Sequence, residues 1–377
     1  MKPRRGALLI AGVMSGTSLD GLDVALVECG PGRAWKLRGF RHAAYTRPQR
    51  ARLLAAATGA ANAPELARLH VWLGQRIGAA VRDACRASHL PLERLSAVAS
   101  HGQTVYHEGG VATLQLGDPA QIAAVTGAAA VSDFRAADLA AGGQGAPLVP
   151  WVDYQLWRHP RRYRAALNLG GIANLTLIPP AARPQQVTAF DTGPGNMACD
   201  ALMQRLSGGR RAFDRNGAFA RSGAVLPRRL QCLLRHPYLR RRPPKSAGRE
   251  QFGAAFVDAL LRAEPAAAPA DLMATLVAFT AAAVARGLDR GGALAARAEV
   301  IVSGGGVHNA ALMAALRAAA PGCQWRVSDE FGVPSQAKEA LAFALLGAAH
   351  LRGLPANLPA ATGAHRPVRL GSFTPPP

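Results

Sequence analysis

Residues 7–29 read ALLIAGVMSGTSLDGLDVALVEC. An apolar run over 7–14 meets turn formers over 15–21, and strand-like character with rough alternation returns over 22–29. That is the pattern of a β-hairpin tipped with Gly, Ser and Thr. Small residues at such a tip let the backbone approach a phosphate, and their hydroxyls add donors. The string is not a Walker loop, which needs GxxxxGK[ST] between a strand and a helix; here a second strand follows. A phosphate site built on it would belong to a hairpin type of ATPase. Taken alone, it is also an ordinary polar turn.

Downstream, the sequence predicts a third extended stretch near 35–45, a helix over about 64–88 and a strand at 97–100. The second half repeats the theme. ALNLG (166–170), a Gly-Ile-Ala-Asn turn, LTLI (175–178) and VTAFD (187–191) precede a helix from Met197. Later, EVIVS (299–303) runs into three glycines, then a helix over about 309–319, a strand near 324–328 and a helix over about 335–352. Two hairpins in two halves point to a duplicated α/β fold. A chain of 377 residues exceeds one ordinary domain. The glycines of Gly142-Gly143-Gln144-Gly145 suit a hinge, which divides the chain into residues 1–142 with about 353–377, and residues 143–352. A ligand cleft between the two lobes follows from that division. The Pro-rich end after Leu354 reads as loosely ordered.

Hydrophobic residues make up 49% of the chain and charged ones 18%, enough apolar material for two cores. The formal net charge of +21 would suit nucleic acid, since clustered cations release counterions on meeting phosphates. The arginines are scattered, however, and no run interleaves with aromatics as a base-stacking platform would. No nucleic-acid partner is expected. Cys29, Cys85, Cys199, Cys232 and Cys323 form no CxxC pair and no His-flanked metal spacing, so no protein-held metal centre is expected either. The basic, apolar start imitates a signal peptide, but Ser15-Gly16-Thr17-Ser18 interrupts it early. No uninterrupted run reads as a membrane span. A cytoplasmic protein is the expectation.

The sharpest chemical string is FDTGPGN (190–196), where Asp191 ends a strand beside a Gly-Pro-Gly turn. Such an acid can present a fixed oxygen acceptor, or it can simply cap the helix that begins at Met197. A GxGxxA string at 193–198 with Asp214 beyond it resembles a dinucleotide site, but Asp214 sits in a turn-like FDRNG. Gly304-Gly305-Gly306 after a strand costs backbone entropy and allows close approach by a flat group such as a purine. Asn168-Leu169-Gly170-Gly171 tips the second hairpin. His101 and Gln103 follow a strand, Arg135 and Asp138 fall in a further polar stretch, and Asp138 could pair with Arg135. Glu339 lies in an apolar helix, where a carboxylate is costly unless it lines a cleft or finds a partner.

With these strings in order, the chain resembles the anhydro-N-acetylmuramic acid kinase family along nearly its whole length. The resemblance rests on GVMSGTSLDGLD (12–23), SHGQTVYH (100–107), LGDPAQIA (116–123), DFRAADLAAGGQGAPLVP (133–150), NLGGIAN (168–174), FDTGPGN (190–196), PPKSAGREQF (243–252), SGGGVHN (303–309) and EALAFALLG (339–347). It implies a two-domain ATPase fold of the actin and hexokinase type using ATP and Mg²⁺. The family opens the 1,6-anhydro ring of the muramyl sugar with water while phosphorylating O6. By motif, Gly16, Thr17, Ser18, Leu19, Asp20, Gly21, Leu22 and Asp23 would face the ATP phosphates. Gly170 and Gly171 would form the second phosphate turn, and Gly304, Gly305 and Gly306 would lie near the adenosine. Asp191 and Glu339 would be catalytic, with Arg135, His101 and Gln103 at the sugar. A homodimer is compatible with the resemblance. Two alternatives remain open: an ordinary sugar hydroxyl kinase of the same fold, and a non-catalytic nucleotide switch.

Overall fold

The structure is a computed structural model that describes residues 6–16, 18–32 and 34–377. The chain divides into two units, Met1–Leu156 with Ala337–Pro377, and Trp157–Gln336. The first unit carries β1 (Leu8–Ser15), β2 (Gly21–Cys29), β3 (Trp35–Ala44), β4 (Leu95–Glu108), β5 (Ala112–Leu116) and β6 (Ala130–Ser132). The second carries β7 (Arg164–Leu169), β8 (Ile172–Ile178), β9 (Thr188–Pro194), β10 (Glu299–Ser303) and β11 (Gln324–Val327). Strand β12 (Ser372–Thr374) belongs to the first.

The two sheets repeat one plan. In the first, β1, β2 and β3 form an antiparallel meander, β4 runs parallel to β1, and β6 runs parallel to β4. In the second, β7, β8 and β9 form the meander, with β10 parallel to β7 and β11 parallel to β10. The duplication expected from the two hairpins is therefore present strand for strand. The first sheet adds β5 on β4 and β12 on β6, both antiparallel.

Alternation along β1 shows why that strand is apolar throughout rather than half polar. Leu9, Ala11 and Val13 enter the core that includes Leu69, Leu73 and Ile77 of helix Ala63–Ala87. The intervening Ile10 and Gly12 meet helix Lys338–Leu351 instead: a Cβ built on Gly12 would lie 2.0 Å from the Ala340 carbonyl oxygen. A strand buried on both faces has no solvent side to make polar. Helix Ala63–Ala87 is delimited by a capping box in which Asn62 Oδ1 accepts from the Glu65 N–H at 3.0 Å and Glu65 accepts from the Asn62 N–H at 2.9 Å.

Four expectations are corrected. The first unit runs to Leu156 rather than residue 142, and it reclaims the chain at Ala337 rather than residue 353. Helix Lys338–Leu351 packs on β1, β2 and β4, so it cannot belong with 143–352. The glycines proposed as a hinge are held within that unit: Asp138, fully buried, accepts from the Gly145 N–H at 2.8 Å, and the Gln144 N–H donates to the Thr362 carbonyl at 2.7 Å. The end of the chain is not loose either, because Leu358, Ala361 and Leu370 are buried and β12 pairs with β6. One helix, Pro269–Arg290, is long and apolar enough by composition to cross a membrane, contrary to the sequence reading. Its Met273, Phe279 and Val284 lie fully inside the core of the second unit.

The ends of the first unit's two chain segments are fastened to each other. Lys338 Nζ lies 3.0 Å from Asp153 Oδ1, and both side chains are only 2–3% exposed. Removing one member of such a pair strands a buried charge, whereas replacing both with apolar groups removes the desolvation cost as well. Lys338→Met should destabilise the protein by about 3–5 kcal/mol, while Lys338→Met with Asp153→Leu should lie within about 1–2 kcal/mol of the parent. Urea unfolding followed by tryptophan fluorescence measures both.

Candidate active site

The first turn separates into positions that serve the fold and positions that face outward. Leu19 takes φ +55° and buries its side chain, and Leu22 is fully buried, so these two contribute backbone only. Gly21 is required by β3, because a Cβ there would meet the Ala43 carbonyl oxygen at 2.6 Å. Gly16 is different: an added Cβ would touch nothing nearer than Ser18 Oγ at 3.5 Å, so the protein itself does not demand glycine there. Ser18 Oγ donates to Asp20 Oδ1 at 2.8 Å, and Arg50 Nη2 donates to the Ser18 carbonyl at 3.2 Å. Asp23 pairs with His42 Nδ1 at 2.8 Å; burial raises its carboxyl pKa while the His42 contact opposes that shift. Thr17 lies outside the described residues.

His101 and Gln103 lie inside β4 rather than after a strand, and both are buried. Gln103 Oε1 accepts from Ser15 Oγ at 2.6 Å and its amide donates to the Thr104 carbonyl at 3.3 Å, so its side chain holds the base of the first turn. Arg135 Nη2 and Nε donate to His101 Nε2 at 2.9 and 3.2 Å, which leaves His101 Nδ1–H to donate to the Gly102 carbonyl at 2.9 Å. Burial, with Arg135 next in effect, pulls the His101 pKa down to about 3, so the ring stays neutral and keeps its acceptor. Arg135 Nη1 donates to the Gly145 carbonyl at 2.8 Å. Burial lowers the guanidinium pKa to about 10 against the opposing pull of Glu339, and Arg135 remains a cation at neutral pH. The structure thus brings Arg135, His101 and Glu339 together. The suggested Asp138–Arg135 pair does not form; Asp138 Oδ1 instead accepts from Asn357 and Thr362, both at 2.7 Å.

In the second unit, the carbonyls of Gly170 and Gly171 accept the N–H groups of Asn196 and Met197 at 2.8 and 3.0 Å, seating the start of helix Met197–Leu206. Gly170 and Gly305 are open in the sense that Gly16 is: a Cβ at Gly170 would meet nothing nearer than 3.6 Å, and one at Gly305 nothing within 4 Å. Their neighbours are constrained. Gly304 takes φ +84° with Asn168 Oδ1 2.6 Å from a would-be Cβ, and Gly306 is pressed against Leu169. Glycine where the fold has no use for it is what a close-approaching ligand requires.

Asp191 does not cap the helix after it. It sits in β9 opposite Asn174, one residue before a bulge, and is half-buried. Its Oδ2 accepts from the Ala247 N–H at 2.8 Å, its N–H donates to the Lys245 carbonyl at 3.1 Å, and its own carbonyl accepts from the Tyr238 hydroxyl at 2.8 Å. Burial raises its carboxyl pKa to about 6, partly offset by the Ala247 N–H and by Lys245. Tyr238, Lys245 and Ala247 went unnoticed as site residues; PPKSAGREQF carried resemblance, but nothing in its spacing connects it to position 191. The dinucleotide reading fails at Asp214, whose two carboxylate oxygens cap a short helix through the Phe219 and Ala220 N–H groups, both at 2.9 Å.

A family model described as anhydro-N-acetylmuramic acid kinase matches residues 8–376. The chain belongs to that family. It is similar to the anhydro-N-acetylmuramic acid kinase of Bacillus cereus (strain B4264), 40% identical over 392 residues that cover 98% of each chain. It is likewise similar to that of Streptomyces coelicolor (strain ATCC BAA-471 / A3(2) / M145), 43% identical over 378 residues covering 97% of this chain and 93% of the relative. Among solved structures, an activator of 2-hydroxyisocaproyl-CoA dehydratase from Clostridium difficile with bound ADPNP is 12% identical, covering 92% of this chain and 96% of that one, at a TM-score of 0.43.

The open glycines leave room for a close-approaching group, and Asp191 presents a carboxylate with Oδ2 held by a backbone donor. Among the described residues no group of three His, Cys, Asp or Glu could hold a metal ion. Mg²⁺ needs no such cage, since it commonly keeps several waters and binds through one or two carboxylates plus substrate phosphates. Asp20 and Asp23 are the carboxylates of the first turn. Gly305→Val should leave the melting temperature within about 2 °C of the parent and weaken ATP binding by at least about tenfold, since the side chain has room in the protein and none beside a nucleotide. Gly306→Val should instead lower the melting temperature, because its side chain runs into Leu169. Calorimetric melting and ATP titration separate the two.

Proposed function

We propose that the protein is an ATP-dependent kinase that opens the 1,6-anhydro ring of anhydro-N-acetylmuramic acid and phosphorylates O6, yielding N-acetylmuramic acid 6-phosphate. It acts in the cytoplasm on small molecules, with Mg²⁺ accompanying ATP. The observation that carries the reading is Asp191: a half-buried carboxylate with one oxygen committed to the Ala247 N–H and a pKa raised to about 6, in a chain of this family.

Opening an acetal with water requires a base on the water's side and an acceptor for the departing oxygen. Asp191 takes the proton of a water molecule as its oxygen bonds to C1. The C1–O6 bond breaks, O6 bonds to the γ-phosphorus, and the bond from that phosphorus to the β-phosphate oxygen breaks to release ADP. Phosphoryl transfer thus replaces the proton donor that a leaving alkoxide would otherwise need, and one carboxylate suffices. Backbone donors beside Gly16 and Gly170 steady the phosphates, and bound Mg²⁺ supplies charge neutralisation there. Arg135, pre-aimed by neutral His101 and by the Gly145 carbonyl, meets the sugar with Glu339. His101 and Gln103 act from behind, on Arg135 and on the first turn.

Asp191→Asn keeps shape and removes the basic oxygen. Turnover should fall by about 10²–10⁴-fold or more while ATP binding survives. In ¹⁸O-labelled water the parent enzyme should place the label on C1 of the product and none in the transferred phosphate. Label in phosphate, or a fully active Asn variant, would remove Asp191 from the role of base.

A further inference from the structure

The segment 243–248 touches Asp191 at two points and its neighbour Tyr238 at a third. The Lys245 carbonyl accepts the Asp191 N–H, the Ala247 N–H occupies Asp191 Oδ2, and the Lys245 ammonium lies 4.4 Å from the ring centroid of Tyr238. Tyr238 is 2% exposed, and its hydroxyl donates to the Asp191 carbonyl. Its ring stands edge-on to Phe252 at 5.6 Å, and the backbone around it is held by Arg290, which donates to the Leu239 and Arg241 carbonyls at 2.9 and 2.8 Å. A closed circuit therefore runs from the acid to the tyrosine, to the lysine on its face, and back to the acid.

Such a circuit does more than hold a strand end. A carboxylate whose two oxygens are both free can rotate, and either oxygen can face the water. Here Oδ2 is fixed by a backbone donor and only Oδ1 remains. We propose that Lys245 and Tyr238 are positioning residues for Asp191: with the segment 243–248 they leave Oδ1 as the single basic oxygen, and the ammonium keeps that carboxylate ionised at working pH. The inference rests on the reading of Asp191 as the base.

The charged groups around Lys245 support the electrostatic half. Burial first, with Arg290 and Arg241 adding to it and Asp191 opposing, lowers its pKa to about 8. Arg241 also stands over the Tyr238 ring at 5.8 Å. Asp191, raised to about 6, works as the carboxylate, so turnover should fall as pH drops through that value. Taking away the lysine's charge moves the fall to higher pH, because a cation stabilises the ionised form.

The test is the pH profile of kcat for the full-length enzyme with anhydro-N-acetylmuramic acid and ATP. Lys245→Met should move the acid limb up by about one unit while recovering most of its rate at alkaline pH. Lys245→Gln should do the same, and Lys245→Arg should leave the limb in place. Tyr238→Phe, which keeps the ring and loses the hydroxyl, should lower kcat by about tenfold without moving the limb or the KM for ATP. A ¹³C titration of the Asp191 carboxyl, assigned by difference from Asp191→Asn, reads the same shift in the resting protein. If Asp191→Asn turns over normally, the base assignment itself falls. If Asp191→Asn is inactive yet Lys245→Met and Lys245→Gln leave both the limb and the carboxyl titration unmoved, the base stands and this inference is overturned.

Discussion

Backbone-to-backbone contact at Gly12 is the constraint from which the first unit follows. With a side chain there, helix Lys338–Leu351 could not lie on β1, since the Ala340 carbonyl and the Ala344 N–H occupy the space at 2.0 and 2.5 Å. The same helix offers Gly347 to Ala99 of β4, where an added Cβ would stand 2.5 Å from the alanine methyl. That close seat fixes the height at which the helix begins, and so brings Glu339 within electrostatic reach of Arg135. The second unit uses the same device. Gly287 of helix Pro269–Arg290 packs against Thr192, the residue after Asp191, and Gly291 packs against Leu177. In each unit a glycine-mediated contact sets a helix on the strands that carry polar groups, which is why those groups can be half-buried and still be held.

Holding them requires that every donor and acceptor find a use, because an unpaired buried polar group costs about 1–3 kcal/mol. Arg135 meets that condition with a neutral histidine and a carbonyl, partners that fix its direction without cancelling its charge. Asp191 meets it with backbone groups on both sides, which fix the carboxylate without supplying a proton. Arg135 thereby stays a cation, and the Asp191 carboxylate is held by neighbours in its own unit.

This division explains what was legible in the sequence. Both hairpins, their tips and the duplication could be read because a two-sided buried strand followed by Gly and Ser leaves a strong local pattern. Residues whose roles come from chain-distant partners could not. The Ala247 N–H reaches Asp191 across 56 positions, and nothing about an alanine announces it. His101 and Gln103 looked like a polar segment past a strand's end, but a left-handed Gly102, φ +69°, lets β4 continue through them by a local irregularity. The Pro-rich end looked loose because its order comes from burial of Leu358 and Leu370 and from pairing with β6, not from its own periodicity. The boundary was misplaced for a related reason: three glycines suggest freedom, but Asp138 and Thr362 remove it.

The excess of arginine over acid, which composition alone left as a scatter of charges, acquires a physical role in the same terms. Guanidinium offers five donors and no acceptor, so it can satisfy carbonyls that loops and helix ends leave over. Arg286 donates to the Leu234 carbonyl at 2.7 Å, just past helix Pro227–Leu233, and Arg290 serves Leu239 and Arg241 at the end of helix Pro237–Arg240. Arg352 gathers the Cys29 and Gly30 carbonyls at 2.8 and 2.7 Å, and Arg50 takes that of Ser18 in the first turn. Cations at helix C-termini also oppose the helix dipole. An arginine spent on a carbonyl needs no carboxylate partner, so a chain that closes its loops this way accumulates positive charge as a by-product of folding. The basic balance of +21 therefore does not by itself call for a polyanionic partner.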